Sequence, residues 1–220
     1  MSKIKVYIDC GHGGRDSGAV NGSYYEKTFA LNVGLKLKKR LLDSNKFEVR
    51  MSREGDTYCT LDYRTSDANK WGADIFISIH TNSSDKKSAT GIETFCYKYK
   101  YRQLADAINN GVLQYIDLTN RGVKEGNWHV VRESKMSACL VELGFITNSN
   151  DLNLLINKQQ EFANGIFKGI LDYYNIPYEV NQNHDKLYIV SVGAFKDINN
   201  AKNKMEELKK LGIEAYIHTC

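Results

Sequence analysis

Proline is almost missing from this chain: 220 residues contain one, Pro177. No tandem repeat or low-complexity tract stands out, so fibrous and solenoid architectures are set aside. No run of 18 or more apolar residues occurs, and insertion into a membrane is not expected. The start, "MSKIKVYIDC", lacks the apolar core of a secretory leader. Synthesis in the cytoplasm is therefore expected, with any role outside the cell requiring release by a membrane lesion or by cell lysis. The five cysteines, Cys10, Cys59, Cys96, Cys139 and Cys220, form no CxxC pair. Neither a thiolate metal site nor a disulfide framework is indicated, and reduced thiols are the expectation. Charge is also without clusters. Thirty Lys and Arg against 26 Asp and Glu give +4, but the cations are scattered and read as solvated surface. Nucleic-acid binding gains nothing from them, although a mildly basic protein suits an anionic polymer.

What is present is a regular alternation. "IKVYID" (Ile4 to Asp9), "FEVRMS", "ADIFISIH" (Ala73 to His80), "GIETFCY" (Gly91 to Tyr97) and "SACLVELGF" (Ser137 to Phe145) read as strands. Between and after them lie segments with helical spacing: "EKTFALNVGLKLKKRLL", Leu61 to Gly72, Leu104 to Leu118, and two stretches within Asn150 to Tyr174. Strands alternating with helices predict an α/β domain: a mixed, mostly parallel sheet with helices on both faces.

Ligands of open α/β sheets gather at the carboxyl ends of the strands, and chemistry-bearing residues fall there. His12 follows the first strand within "YIDCGHGGRDSG", His80 ends "ADIFISIH", and Glu142 sits near the end of "ACLVELGF". Glu26 opens the helix after the first loop. Two histidines and two carboxylates meeting at one sheet edge suit a catalytic zinc, with three N or O ligands and a remaining carboxylate as general base. Spacing alone does not tell Glu26 from Glu142 in these roles. His129 reads as an exposed strand histidine, and His184 and His218 as surface. Phosphate cradling is excluded for the glycine-rich loop, which has neither GK[ST] nor GxGxxG. No GxSxG elbow supports a nucleophilic serine.

"DCGHGGRDSGAV", "YEKTFALNV", "ADIFISIHTNS", "GIETF", "NRGVK" and "ACLVELGFITNSND" follow one another in the order found in a known family. The chain from Lys3 to Tyr174 resembles the zinc-dependent N-acetylmuramoyl-L-alanine amidases of bacteria and phages. The resemblance implies one Zn2+ held by His12, Glu26 and His80, with Glu142 as the catalytic carboxylate. It also implies peptidoglycan as substrate, cleaved at the amide between the lactyl group of N-acetylmuramic acid and L-alanine. Two alternatives stay open: a non-catalytic wall-binding protein, and a zinc hydrolase of another amide. The family often has proline where this chain has Cys10, which is expected to be a small buried packing residue. Arg53 and Arg132 are expected to be ordinary salt-bridge residues.

The expected organisation is a catalytic domain over 1–176, a linker over 177–185, and a strand–helix–strand unit over 186–220. The last resembles one half of a SPOR-type peptidoglycan-binding module. About 35 residues fall below the roughly 40 at which a core alone suffices. The missing half is therefore expected from a second chain, giving a homodimer, or from docking on the catalytic domain. A phage lysin or a mother-cell enzyme of sporulation is implied, with a lean to the former.

Overall fold

The computed structural model describes residues 2–178, 193–213, 215 and 217. The chain divides into two compact units, Met1–Tyr178 and Glu179–Cys220. In the first, strands β1 (Ile4–Cys10), β4 (Phe47–Met51), β5 (Ile75–Asn82), β6 (Ile92–Cys96), β7 (Asn120–Glu125) and β8 (Ser137–Phe145) form one sheet in the order β4-β1-β5-β8-β6-β7. A two-residue ladder, β2 (Val20–Asn21) with β3 (Tyr24–Tyr25), stands apart. β4, β1, β5 and β8 run parallel, β6 is antiparallel to β8, and β7 is parallel to β6. This is the mixed, mostly parallel α/β fold that the alternation of elements predicts.

The period of two along each central strand divides its side chains between two cores. Val6, Ile8 and Cys10 of β1, Ile75, Ile77 and Ile79 of β5, and Cys139, Val141 and Leu143 of β8 face one way. There they meet α1 (Glu26–Asp43), α3 (Gln103–Leu113) and α6 (Gln159–Tyr173). α5 (Ser149–Asn157) adds Leu155 to this core. Tyr7, Phe76, Ala138 and Leu140 face the other way, toward Ala68 of α2 (Leu61–Trp71) and Val130 and Val131 of α4 (His129–Arg132). The second cover is short, so the C-terminal half of that face stays open around β5 and β8.

Two expectations shift. α3 ends at Leu113 rather than continuing to Leu118, because the chain must turn to reach the edge strand β7. Ile116 still docks in the core, its N–H donating to the Val112 carbonyl at 3.0 Å. His129 opens α4 instead of lying on a strand, and it is half-buried rather than exposed. Of the second unit, helix α7 (Ile198–Lys210) is described, capped by the Asp197 side chain accepting from Asn199 N–H at 2.7 Å. Most of the expected linker and of the two expected tail strands, with His184, His218 and Cys220, lies outside the described residues.

Candidate metal centre and catalytic cleft

The loop after β1 is bent by left-handed backbone. His12 has φ 59°, Gly13 128°, Gly14 56° and Gly18 64°. Non-glycine residues rarely adopt such values, and here the loop is held open by two buried arginines. Arg64 donates to the Cys10 and His12 carbonyls at 2.6 and 2.8 Å and pairs with Asp9 at 2.6 Å. Arg53 donates to the carbonyls of Cys10, Gly11, Lys27 and Gly55 at 2.7–3.0 Å. It is a clamp on backbone carbonyls rather than the salt-bridge residue expected from sequence. Arg132 does pair with an acid, Glu133, at 2.7 Å. Neither Asp9 nor Arg64 stands out in the sequence, because an apolar run ending in Asp reads simply as a strand end.

Glycines at two positions are required by close approach. A Cβ on Gly11 would run into the His80 ring, and one on Gly18 would lie 2.6 Å from both Glu26 Oε2 and the His12 ring. The result is a tight cluster in which His12, Glu26 and His80 each offer one ligand atom, all within 4.8 Å of one another. His80 Nδ1 lies 2.8 Å from Glu26 Oε1, and His12 Nε2 lies 3.2 Å from Glu26 Oε2. The other ring nitrogen of His12, Nδ1, lies 2.9 Å from Asp16 Oδ2. A carboxylate behind a histidine in this way fixes the tautomer that turns Nε2 inward. Asp16 is the residue of this cluster that sequence reasoning missed; its position four residues after His12 is the signal that was available.

Electrostatics follow from this crowding. Burial opposes a charge on Glu26, but hydrogen bonds and charge from His12 and His80 hold it well below the carboxylate range. Burial likewise disfavours charged His12, yet Glu26 and Asp16 outweigh it and raise it to about 9. Glu142 behaves oppositely. Burial pushes it up to about 7, with Glu26 and Glu93 adding to the rise and His80 opposing it. Its Oε2 is buried without a hydrogen-bond partner, which is costly for a carboxyl group. Glu142 is the register partner of His80 across β5 and β8, so both side chains leave the same face of the sheet.

All four sequence-predicted residues line one cleft of about 370 Å³. Tyr58, Leu61 and Trp128, each roughly half-exposed, form part of its rim. His129 also lines the cleft but turns to α2, with Nε2 3.3 Å from Asp62 and 3.4 Å from Thr65 Oγ1. Cys10 is fully buried beneath the loop against Gly34 of α1, and burial pushes its thiol up to about 12. It is a packing residue with no ligand role. Its backbone N–H donates to Ser52 Oγ at 3.1 Å, a bond that a proline at this position would forgo.

Residues 6–172 match the family model described as N-acetylmuramoyl-L-alanine amidase. The chain is 36% identical over 222 residues to the sporulation-specific N-acetylmuramoyl-L-alanine amidase of Bacillus subtilis, covering 97% of this chain and 84% of that one. It is 34% identical to the N-acetylmuramoyl-L-alanine amidase CwlM of Bacillus licheniformis, with the same coverage. Among solved structures, the catalytic domain of the amidase CwlV from Bacillus (Paenibacillus) polymyxa superposes with a TM-score of 0.76 at 36% identity, over 79% of this chain and 99% of that one. With the match extending over most of the sequence and the fold, the chain belongs to the N-acetylmuramoyl-L-alanine amidase family.

Proposed function

We propose that this protein is a zinc-dependent peptidoglycan hydrolase that cleaves the amide between the lactyl group of N-acetylmuramic acid and L-alanine. The observation that carries the reading is the cluster of His12, Glu26 and His80 beside the unpartnered carboxyl of Glu142, in one open cleft. Two imidazoles and one carboxylate form a donor set that suits a catalytic zinc, with a fourth position left for a reactant. His12, Glu26 and His80 would hold the ion, and Asp16 would orient His12. A zinc ion held there supplies Lewis acidity, polarising the amide carbonyl and lowering the pKa of water.

The chain's own groups do the remaining work. Glu142, poised near neutrality by its burial, accepts a proton from the attacking water and returns it to the leaving amine nitrogen of L-alanine. The Arg53 and Arg64 clamps keep the His12 loop from relaxing, so little rearrangement is needed when substrate arrives. Digesting purified peptidoglycan and identifying the new end groups tests the reading. New L-alanine amino termini, lost on chelation and regained with zinc, are the expected result. New reducing ends, or no released product, would overturn it.

The unit beyond Tyr178 is assigned to wall binding or to pairing of two chains. Support comes from Phe195, Ile198, Leu211 and Ile213, apolar side chains left exposed around α7. A relative spanning 97% of the chain is sporulation-specific, which favours release by mother-cell lysis over a phage route.

A further inference from the structure

Beyond Glu142, the open sheet face continues onto β6 and β7 and carries an unbalanced charge cluster. Glu93 of β6 is the register partner of Glu142 across the antiparallel pair, and it is almost fully buried. Its Oε2 takes both Arg121 Nε, at 2.7 Å, and Lys124 Nζ, while its Oε1 accepts from Asn82 Nδ2 at 2.6 Å. Asn82 lines the catalytic cleft. One carboxylate thus lies beneath two cations of β7 whose side chains are 34% and 40% exposed, leaving a surplus positive charge at the surface. Arg121 contacts Glu93 through Nε, donates from Nη1 to the Thr90 carbonyl at 3.4 Å and lies over the Phe145 ring; its Nη2 and the remaining donors of Lys124 leave capacity for a further acceptor.

We infer that Arg121 and Lys124, seated on Glu93, form a carboxylate-binding subsite for the peptide side of the scissile amide. This rests on the amidase reading, since it is the cleaved amide that sets the distance. Neighbouring strands lie ~4.8 Å apart, so β7 is about 10 Å from the strand of Glu142, with the lysine reaching back toward Glu93. An extended peptide advances ~3.5 Å per residue, so a carboxylate on the second stem residue would lie about 7 Å beyond the amide nitrogen. Arg121 and Lys124, joined to the cleft residue Asn82 through Glu93, would meet it on that side. Glu93 is a positioning residue, since it holds both cations and fixes Asn82 at the cleft.

The test uses two peptidoglycan fragments that differ only at the second stem residue, one with its α-carboxylate free and one with it amidated. The quantity read is the ratio of their kcat/KM values, as the appearance of L-alanine amino termini. The wild-type protein should favour the free carboxylate by about tenfold, the scale of one charge-assisted hydrogen bond. Lys124→Met and Lys124→Gln should bring the ratio close to one, and Lys124→Arg should restore it. A wild-type ratio near one, or a ratio unchanged in Lys124→Met, would overturn the subsite while leaving the amidase reading intact. Failure of the wild-type protein to cleave either fragment would overturn the amidase reading, and the subsite with it.

Discussion

At Glu142 two demands conflict: a carboxyl group is buried, and one oxygen has no protein partner. A structural acid would be paired, as Asp151 is, accepting from Thr90 Oγ1 and from the N–H groups of Gly91 and Phe145 at 2.5–3.0 Å. On the proposed mechanism the missing partner of Glu142 is a reactant. Glu142→Gln should keep bound metal, measured by elemental analysis, while turnover falls by roughly 10²–10⁴, the range of general acid–base catalysis. Near wild-type turnover in that variant would remove Glu142 from the mechanism. His80→Ala should lose metal and turnover together. Asp16→Asn should weaken zinc affinity by about 10–100-fold, as expected when the carboxylate behind a ligating histidine is lost. A competition titration with a chromophoric chelator reads that shift, and unchanged affinity would count against the role given to Asp16.

Between elements, the determining contact is the one between α1 and β1. Gly34 has no Cβ because Cys10 Sγ occupies that space, and this closeness lets Glu26, at the start of the same helix, reach both histidines. Gly34→Ala should therefore cost about 1–3 kcal/mol through overpacking, read as a lowered Tm, and should loosen the metal site with it. An unchanged Tm would mean the helix has room to shift. The strands that carry the site were legible because burial on both faces makes them near-continuous apolar runs, as in Ile75–Ile79 and Ala138–Val141. β7 escaped because an edge strand with Arg121, Lys124 and Glu125 has one aliphatic residue, Val123, and no alternation to follow. The β2–β3 ladder is hidden because two residues per strand are too few to show a period. His12, His80 and Glu142 could be placed at strand ends by reasoning from residues alone. Their division of roles came from the family resemblance, since no spacing rule separates a ligand from a base. The backbone clamps of Arg53 and Arg64 depend on the course of loops, and nothing local announces them.

Over the whole first unit, the buried pair Asp9–Arg64 links the site to stability. Burial disfavours ionised Asp9, but the charge of Arg64, with hydrogen bonds from Ser78 and Arg64, holds its carboxyl below the ordinary range. A carboxyl lowered on folding contributes stability that is present above its unfolded value, near 3.9, and is lost as pH falls through its folded value. Chemical denaturation as a function of pH should show this loss below about pH 4, with a shallower slope in Asp9→Asn. Arg64→Met should cost roughly 3–5 kcal/mol, because it strands a buried carboxylate. The unit ends in a fixed place, with Tyr178 Oη accepting from Arg40 at 3.0 Å and lying 3.2 Å from Tyr115 Oη. Removing 181–220 should thus leave a folded, active hydrolase, and sedimentation of the full chain and the shortened one tests whether the tail pairs two copies. A single zinc held by His12, Glu26 and His80 is the proposed requirement for cleavage. That requirement is tested most directly by titrating zinc into chelated protein while following release of L-alanine amino termini from peptidoglycan. Turnover that rises from zero and levels off at one zinc per chain is the predicted result; turnover that persists in the chelated protein would contradict it.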